Sequence, residues 1–259
     1  MFDLETITNV FNDFSSVELV FATILLFIAA VIRGLTGFGF SAIIVTGLSF
    51  IIPPSQTVVL ALLLEIVASV HLMPKAWSNI DWKLLGALGS GVILGTPIGM
   101  ALLAFAAPDK MRLIISSLVL IFSLLILKGC SYRGPRNFSV HGGLGLLSGI
   151  CNGTAALGGL PIVTFLLSTD AQVAATRATL IALFFATDIY ALIFAGGHGL
   201  VSTRIFIYAI TALPLLVCGV ALGQRLFNVA SPSFFKKIAL FLLLSLSLTG
   251  IIRSFMTLQ

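Results

Sequence analysis

The stretch LIISSLVLIFSLLIL, residues 113–127, is apolar apart from three serines and contains no charged side chain. A strand of a membrane barrel would alternate polar and apolar residues, and an isolated strand in lipid would leave its backbone groups unpaired. A helix satisfies its own backbone hydrogen bonds, so this stretch is typical of a membrane helix. We therefore predict an all-α, polytopic membrane protein.

The composition of the whole chain agrees with this prediction. Of 259 residues, 59% are hydrophobic and only 9% are charged, and the mean hydropathy is +1.17. Soluble domains average roughly 25% charged residues, so an ordinary globular protein is excluded. The net charge of +5 comes from scattered residues that form no basic run. This pattern argues against a nucleic-acid partner and leaves the lipid bilayer as the surrounding medium.

Ten hydrophobic runs follow one another, and we predict a helix or a half-helix for each. They are residues 16–32, 38–52, 55–74, 83–106, 111–128, 138–151, 155–168, 171–195, 204–227 and 234–256. The runs 38–52 and 138–151 would form about 21 Å of helix each, which is shorter than the roughly 30 Å of a hydrocarbon core. We predict that these two enter the membrane and break near its middle.

The second half of the chain repeats features of the first. A glycine-rich stretch lies at 33–41 and again at 148–159, Gly95–Gly99 recurs as Gly219–Gly223, and Pro108 recurs as Pro232. Such an ordered series of matches indicates duplication. We predict two transmembrane repeats of five elements, residues 1–130 and 131–259. Because the number of elements is odd, the second repeat lies upside down in the membrane.

The placement of basic residues supports a count of ten elements. Lys and Arg collect in short cytoplasmic loops, and eight lie in the odd-numbered connections against four on the even-numbered side. This bias predicts that both chain ends lie outside the cytoplasm. If each short element instead merged with its neighbour into one crossing, the repeats would have four elements and lie parallel, and the bias would nearly vanish.

The glycine-rich stretches are the predicted substrate site. A break between half-helices exposes backbone N–H groups and the positive end of a helix dipole, which attract anions, and paired breaks hold substrates at mid-depth in many transporters. The residues predicted to bind an oxyanion are Thr36, Gly37, Gly39, Ser41, Asn152, Gly153 and Thr154. The alternative is that such glycines only allow membrane helices to pack closely.

Arg33 and Arg177 are the predicted cationic residues of the site. Arg33 opens the first glycine-rich stretch, and Arg177 lies about seven residues into a long apolar run. Two guanidinium groups facing one cavity would offer paired donors to a small oxyanion. Alternatively, Arg33 reaches the membrane surface, and Arg177 pairs with Asp170 or Asp188.

Glu65 and Asp188 are acidic residues inside apolar runs. An acid in an anion pathway is a candidate proton carrier, because desolvation favours its neutral form. Each acid is equally a candidate partner that holds an arginine in place. The sequence contains no HExxH, Walker or GxSxG motif, so we predict neither an enzyme nor a cofactor or metal site.

Five segments of the chain resemble the sulfite exporter TauE/SafE family of permeases: residues 33–41 (RGLTGFGFS), 80–83 (IDWK), 95–99 (GTPIG), 145–159 and 175–180 (ATRATL). The resemblance covers nearly the whole chain. It implies a duplicated helical bundle in the bacterial inner membrane that moves sulfite, sulfonates or related sulfur-containing anions, commonly outward. It also supports Arg33, Gly37, Gly39, Asn152 and Arg177 as the residues nearest a substrate.

The expected function is therefore a secondary carrier of a small sulfur-containing anion that works by alternating access. One alternative is a carrier of another small organic anion, such as a carboxylate. Two others are a passive anion channel and a membrane scaffold without transport. The sequence leaves the transport direction, the coupling ion and the oligomeric state open.

Overall fold

A computed structural model describes residues 10–129, 137–166, 173–226 and 232–258, and in these ranges the chain is helical without strands. The helices are α1 (Ser16–Thr36), α2 (Phe40–Leu48), α3 (Pro54–Ala76), α4 (Trp82–Phe105), α5 (Pro108–Leu127), α6 (Phe138–Ala155), α7 (Gly159–Leu166), α8 (Val173–Gly197), α9 (Thr203–Leu226) and α10 (Pro232–Leu258). Each predicted hydrophobic run corresponds to one of these ten helices. The predicted fold class, an all-α polytopic membrane protein, is confirmed.

Six of the helices in the described part of the chain are long and apolar enough to cross a membrane: Ser16–Thr36, Pro54–Asn79, Trp82–Phe105, Pro108–Leu127, Ala174–Gly197 and Thr203–Leu226. Two of them start with a side-chain cap. Ser15 and Glu18 form a reciprocal capping box at α1, and Asp81 accepts hydrogen bonds from the first backbone N–H groups of α4.

The two shortest helices are α2, with nine residues, and α7, with eight. At 1.5 Å per residue, each is only about 12–14 Å long. The short run predicted at 38–52 is therefore confirmed as α2. The element predicted at 138–151 is longer than predicted, because α6 continues to Ala155 and has 18 residues. The short helix of the second half is α7, which lies within the run 155–168.

Three glycines of α6 remain helical because they pack against the backbone of α4. A Cβ atom on Gly145, Gly149 or Gly153 would overlap backbone atoms of α4. The reverse holds for Gly91, Gly95 and Gly99, whose Cβ atoms would overlap backbone atoms of α6. Backbones that approach this closely make dispersion contacts that offset the low helix propensity of glycine. Since contacts along both helices increase in the same order, from Leu88–Gly145 to Gly99–Thr154, α4 and α6 run parallel.

A second close pair joins α1 and α9. Asp13, just before α1, forms an ion pair with Arg204 at the start of α9. Near the other end of α1, a Cβ atom on Gly34 would overlap the backbone of Val220. These two contacts show that α1 and α9 run in the same direction.

Helices α1 and α2 form a hairpin that returns to the end of the bundle where it began. The end of α3 lies beside the end of α9, since Lys75 donates a hydrogen bond to Gln224 at 3.2 Å. Helix α3 therefore runs parallel to α9 and to α1, and its start lies at the same end as the start of α1. Helix α2 therefore carries the chain back from the end of α1 toward the end of the bundle where α1 and α3 start.

Helices α6 and α7 form the corresponding hairpin from the opposite end. The segment before α4 meets the first turns of α8, where the N–H of Asp81 donates to Thr179 Oγ1 at 3.0 Å. Because α4, α6 and α8 start at this end, α7 must return to it. Both interrupted helices are thus re-entrant, which excludes the alternative in which each short element completes its neighbour's crossing.

Candidate functional site

The first hairpin turns at two glycines with left-handed backbone conformations. Gly37 ends α1 with φ 81°, and Gly39 begins α2 with φ 88°. Residues with a Cβ atom rarely adopt such angles, so the glycines permit the reversal at this point. Thr36 stabilises the turn, because its hydroxyl donates to backbone carbonyl oxygens and accepts from the N–H of Phe38 at 3.2 Å.

Arg33 lies one turn before this reversal and is completely buried. Its Nη2 forms an ion pair with Glu65 Oε2 at 2.8 Å and donates to Ser69 Oγ at 2.8 Å. Its Nη1 donates to the carbonyl oxygen of Gly37. The guanidinium carbon lies 5.1 Å from the ring centre of Phe184 on α8, which is a cation–π geometry. Arg33 therefore holds together the end of α1 and the middle of α3 and contacts α8.

Glu65 also binds the start of α2. Its Oε1 accepts a hydrogen bond from the hydroxyl of Ser41 at 2.6 Å and one from the Ser41 backbone N–H at 3.3 Å. The carboxylate thus caps the first turn of α2, where unpaired N–H groups favour an anion. Glu65 therefore binds both Arg33, near the end of α1, and the first turn of α2.

The second hairpin carries a similar arrangement in which an amide takes the place of the arginine. Asn152, near the end of α6, donates from Nδ2 to Asp188 Oδ1 on α8 at 3.0 Å. Its Oδ1 accepts from the N–H of Gly158, between α6 and α7, at 3.4 Å. The reversal occurs at Ala156, whose φ of 54° is the only positive value among the non-glycine residues that the structure describes.

The two hairpins meet at a small polar cavity. Its polar lining consists of Ser41 and Glu65 from the first half and of Asn152 and Asp188 from the second. Gly39 and Gly159, at the starts of the two short helices, also line the cavity, one from each half. The volume of about 10 Å³ is enough for about one water molecule. The structure therefore brings the predicted residues Gly39, Ser41 and Asn152 to one point, together with both predicted acids.

Arg177 lies next to this site but outside the cavity lining. Its Nη2 donates to the carbonyl oxygen of Gly34 at 2.6 Å, and a Cβ atom on Gly37 would lie 2.7 Å from the Arg177 Cγ. The side chain thus points toward the end of α1. Gly37 is needed here both for its backbone angle and for the space that Arg177 occupies.

Two predicted residues lie on a different face of α6. Gly153 packs against the backbone of Thr96 and Met100, and the hydroxyl of Thr154 donates to the carbonyl oxygen of Gly99 at 3.3 Å. Both residues contact α4. The close-packing explanation describes them better than substrate binding does.

Besides Ala156, three residues that contact the site were not predicted. Ser69 lies one helical turn after Glu65 on α3, a spacing that places both side chains on one face, and this spacing is a usable signal. Ser148 donates to the carbonyl oxygen of Gly158 at 2.7 Å and lies one turn before Asn152. Phe184 is one of 21 phenylalanines, and nothing in the sequence distinguishes it.

A larger cavity of about 550 Å³ lies between α1, α3 and α9. Its lining is mainly apolar, and Glu18 is the only charged residue in it. Neither cavity has a cation in its lining, but the small one is lined by Glu65, the ion-pair partner of the buried Arg33, so the small polar cavity is the candidate site. Among the residues described, no group of three or more His, Cys, Asp or Glu side chains could hold a metal ion.

Comparison with known proteins points to one family. A protein of Cupriavidus necator named "Probable sulfite/organosulfonate exporter TauE" is 24% identical over 213 residues, which cover 79% of this chain and 82% of that protein. No solved structure matches the chain. The pattern of the sulfite exporter TauE/SafE family matches residues 22–249. The resemblance noted in the sequence is thereby confirmed, and the chain belongs to the sulfite exporter TauE/SafE family.

Proposed function

We propose that this protein is a secondary transporter that exports a small sulfur oxyanion, sulfite or an organosulfonate, across the bacterial inner membrane by alternating access. The observation that carries the proposal is the buried arginine at the meeting point of two re-entrant hairpins, in a chain of this family. A buried charge in a membrane protein is expensive and is usually retained for a path or a binding task.

The depth of Glu65 supports a site near the middle of the membrane. Glu65 lies eleven residues from each end of α3, which spans residues 54–76. At 1.5 Å per residue this is about 16 Å from either end, or about half of a hydrocarbon core. An anion bound beside Glu65 would therefore be about equally far from both surfaces.

The Arg33–Glu65 pair suggests how the anion binds. A guanidinium group offers the same planar set of donors to a carboxylate and to a sulfur oxyanion. We propose that the anion binds Arg33 beside Glu65, which keeps its ion pair with Nη2, and accepts from the buried Nε, which has no hydrogen-bond partner among the described residues. Arg177, which donates to the carbonyl oxygen of Gly34, would supply the second cation.

The opposed hairpins support two inverted halves, residues 1–130 and 131–259. Hairpin α1–α2 enters from one end of the bundle and hairpin α6–α7 from the other, and their tips meet at the small cavity. A cavity for one water is too small for sulfite, so an anion requires an opening movement on one side. In our proposal, a shift of one hairpin exposes the site to one surface while the other hairpin keeps it closed.

Transport by purified protein in liposomes tests the proposal. We expect saturable uptake of labelled sulfite, acceleration of that uptake by sulfite or ethanesulfonate trapped inside, and little uptake of labelled acetate. Arg225→Ala, which removes an exposed cation at the end of α9, is the matched control and should transport normally. Equal uptake of acetate would contradict the proposed substrate class and indicate a carrier of small organic anions. Flux without saturation or counterflow would indicate a channel.

A further inference from the structure

Asp188 is a buried acid whose carboxylate is only partly hydrogen-bonded. It is 2% exposed, and its Oδ1 accepts one hydrogen bond from Asn152. Its Oδ2 is buried and has no hydrogen-bond partner among the described residues. Asp188 also lines the cavity where the two hairpins meet. A carboxylate with one unpaired oxygen in such a place is costly unless it is neutral or paired.

The charges facing Asp188 come from three helices. Arg33 on α1 and Glu65 on α3 are close enough to act on it electrostatically, with opposite signs. Arg33 is already bound to Glu65, so neither of them pairs with Asp188. Arg177 lies on α8 itself, eleven positions earlier in the chain, and binds Gly34. Asn152 on α6 is neutral, and no charged residue lies in the described helix α7.

The charge of the cluster depends on Asp188. With both acids ionised, the two arginines and the two acids sum to zero, and the site offers no net attraction to an anion. With a proton on Asp188, the sum is +1, which matches a monovalent anion. Proton binding and anion binding should therefore favour each other, and this coupling is reciprocal by thermodynamic necessity.

We propose that Asp188 is the proton-binding site of the transporter, so that one proton leaves with each exported anion, driven by the anion's own concentration gradient. This inference rests on the proposed transport function and adds the coupling ion to it. When the site is open, water hydrates Asp188 and it is ionised. Closure around the anion removes that water, and Oδ2 takes a proton from the solution. Opening on the other side returns the proton to water as the anion leaves.

This assignment separates the roles of the two acids. Glu65 has a cation partner and hydrogen bonds from Ser41, so its charge is compensated in the closed state. Asp188 has only an amide donor. Glu65 is therefore the positioning residue for Arg33, and Asp188 is the residue that changes its protonation state.

Proton uptake during anion binding tests the inference. Purified protein in weakly buffered detergent solution is mixed with ethanesulfonate, which does not itself titrate near neutral pH, and a pH dye follows the solution. We expect wild-type protein to take up one proton for each anion bound, and to bind more weakly as the pH rises. Asp188→Asn, which mimics the neutral acid, should bind the anion without proton uptake and with little dependence on pH.

Asp109→Asn is the matched control, because Asp109 is half exposed beside Arg112 and far along the chain from the site. It should keep the wild-type proton uptake. Undiminished uptake in Asp188→Asn would overturn the inference. If Asp188→Asn binds no anion, the number of protons that wild-type protein takes up per bound anion becomes the test. Anion binding by wild-type protein without any proton uptake would reject Asp188 as the proton site, and it would leave the proposed transport function unaffected. Failure of wild-type protein to bind or transport any sulfur anion would instead refute the proposed function.

Discussion

Arg33 and Glu65 form an ion pair, with 2.8 Å between Nη2 and Oε2, in which the two side chains are 0% and 4% exposed. The pair connects the end of an interrupted helix to the middle of an uninterrupted one. Removing one partner leaves a buried charge without compensation, which costs far more than losing an exposed pair.

Glu65→Gln should therefore destabilise the protein by about 3 kcal/mol, within the range measured for broken buried pairs. Thermal unfolding in detergent, followed by helix content, measures the change. Asp109→Asn removes the acid of the partly exposed pair with Arg112, whose N–O distance is 2.7 Å, and should cost less than about 1 kcal/mol. Equal losses in the two variants would mean that the Arg33–Glu65 pair does not stabilise the hairpin.

Arg177 should be essential for transport without being essential for folding. Arg177→Ala should abolish sulfite uptake in liposomes, and the variant should still unfold cooperatively. Arg177→Lys should also abolish sulfite uptake, because an ammonium group cannot offer two parallel N–H donors as a guanidinium does. Normal transport by either variant would remove Arg177 from the site.

Much of the fold follows from the sequence because apolar runs in a membrane protein must become helices. Each of the ten predicted runs matches a helix in the structure. The error concerned α6, where glycines at 149 and 153 suggested a break. Their helical state depends on contacts with α4, which are distant in sequence. Local propensity carries no information about such a partner.

The site was predictable to a similar extent. Arg33, Glu65 and Asp188 could be identified because charged residues are conspicuous in apolar runs, and the structure places them in one cluster. Which residues pair was not predictable, since the pairing depends on how α1, α3 and α8 pack. Ala156 was missed because an alanine with positive φ is imposed by the surrounding structure and carries no compositional signal.

The glycine contacts between α4 and α6 should be sensitive to a single methyl group. In Gly95→Ala, the added Cβ atom would lie 2.8 Å from the backbone nitrogen of Ile150 and would overlap the carbonyl oxygen of Leu146. Because backbone cannot move aside as a side chain can, we expect a loss of about 1–3 kcal/mol in unfolding free energy.

Gly89→Ala is the matched control on the same helix, since a Cβ atom at Gly89 meets nothing within 4 Å. Alanine has the higher helix propensity, so this variant should be as stable as wild type or slightly more stable. Thermal unfolding of the two variants side by side makes the comparison. A similar melting temperature for both would show that α4 and α6 have room to separate.

The Asn152–Asp188 hydrogen bond makes anion binding sensitive to one amide. Asn152→Asp replaces a donor with an acid beside Asp188, where the wild-type Nδ2–Oδ1 distance is 3.0 Å. Two acids at this distance cannot both be ionised without strong repulsion, and added negative charge opposes an anion. We expect sulfite uptake at neutral pH to fall at least about tenfold, a change of 1.4 kcal/mol in binding free energy. Uptake should recover partly at lower pH, as the acid pair gains protons.

Asn137→Asp is the control. Asn137 caps the start of α6 by accepting from the N–H of Val140 at 3.0 Å, and aspartate caps equally well. Transport by Asn152→Asp that equals that of Asn137→Asp at neutral pH would exclude Asn152 and Asp188 from the anion path.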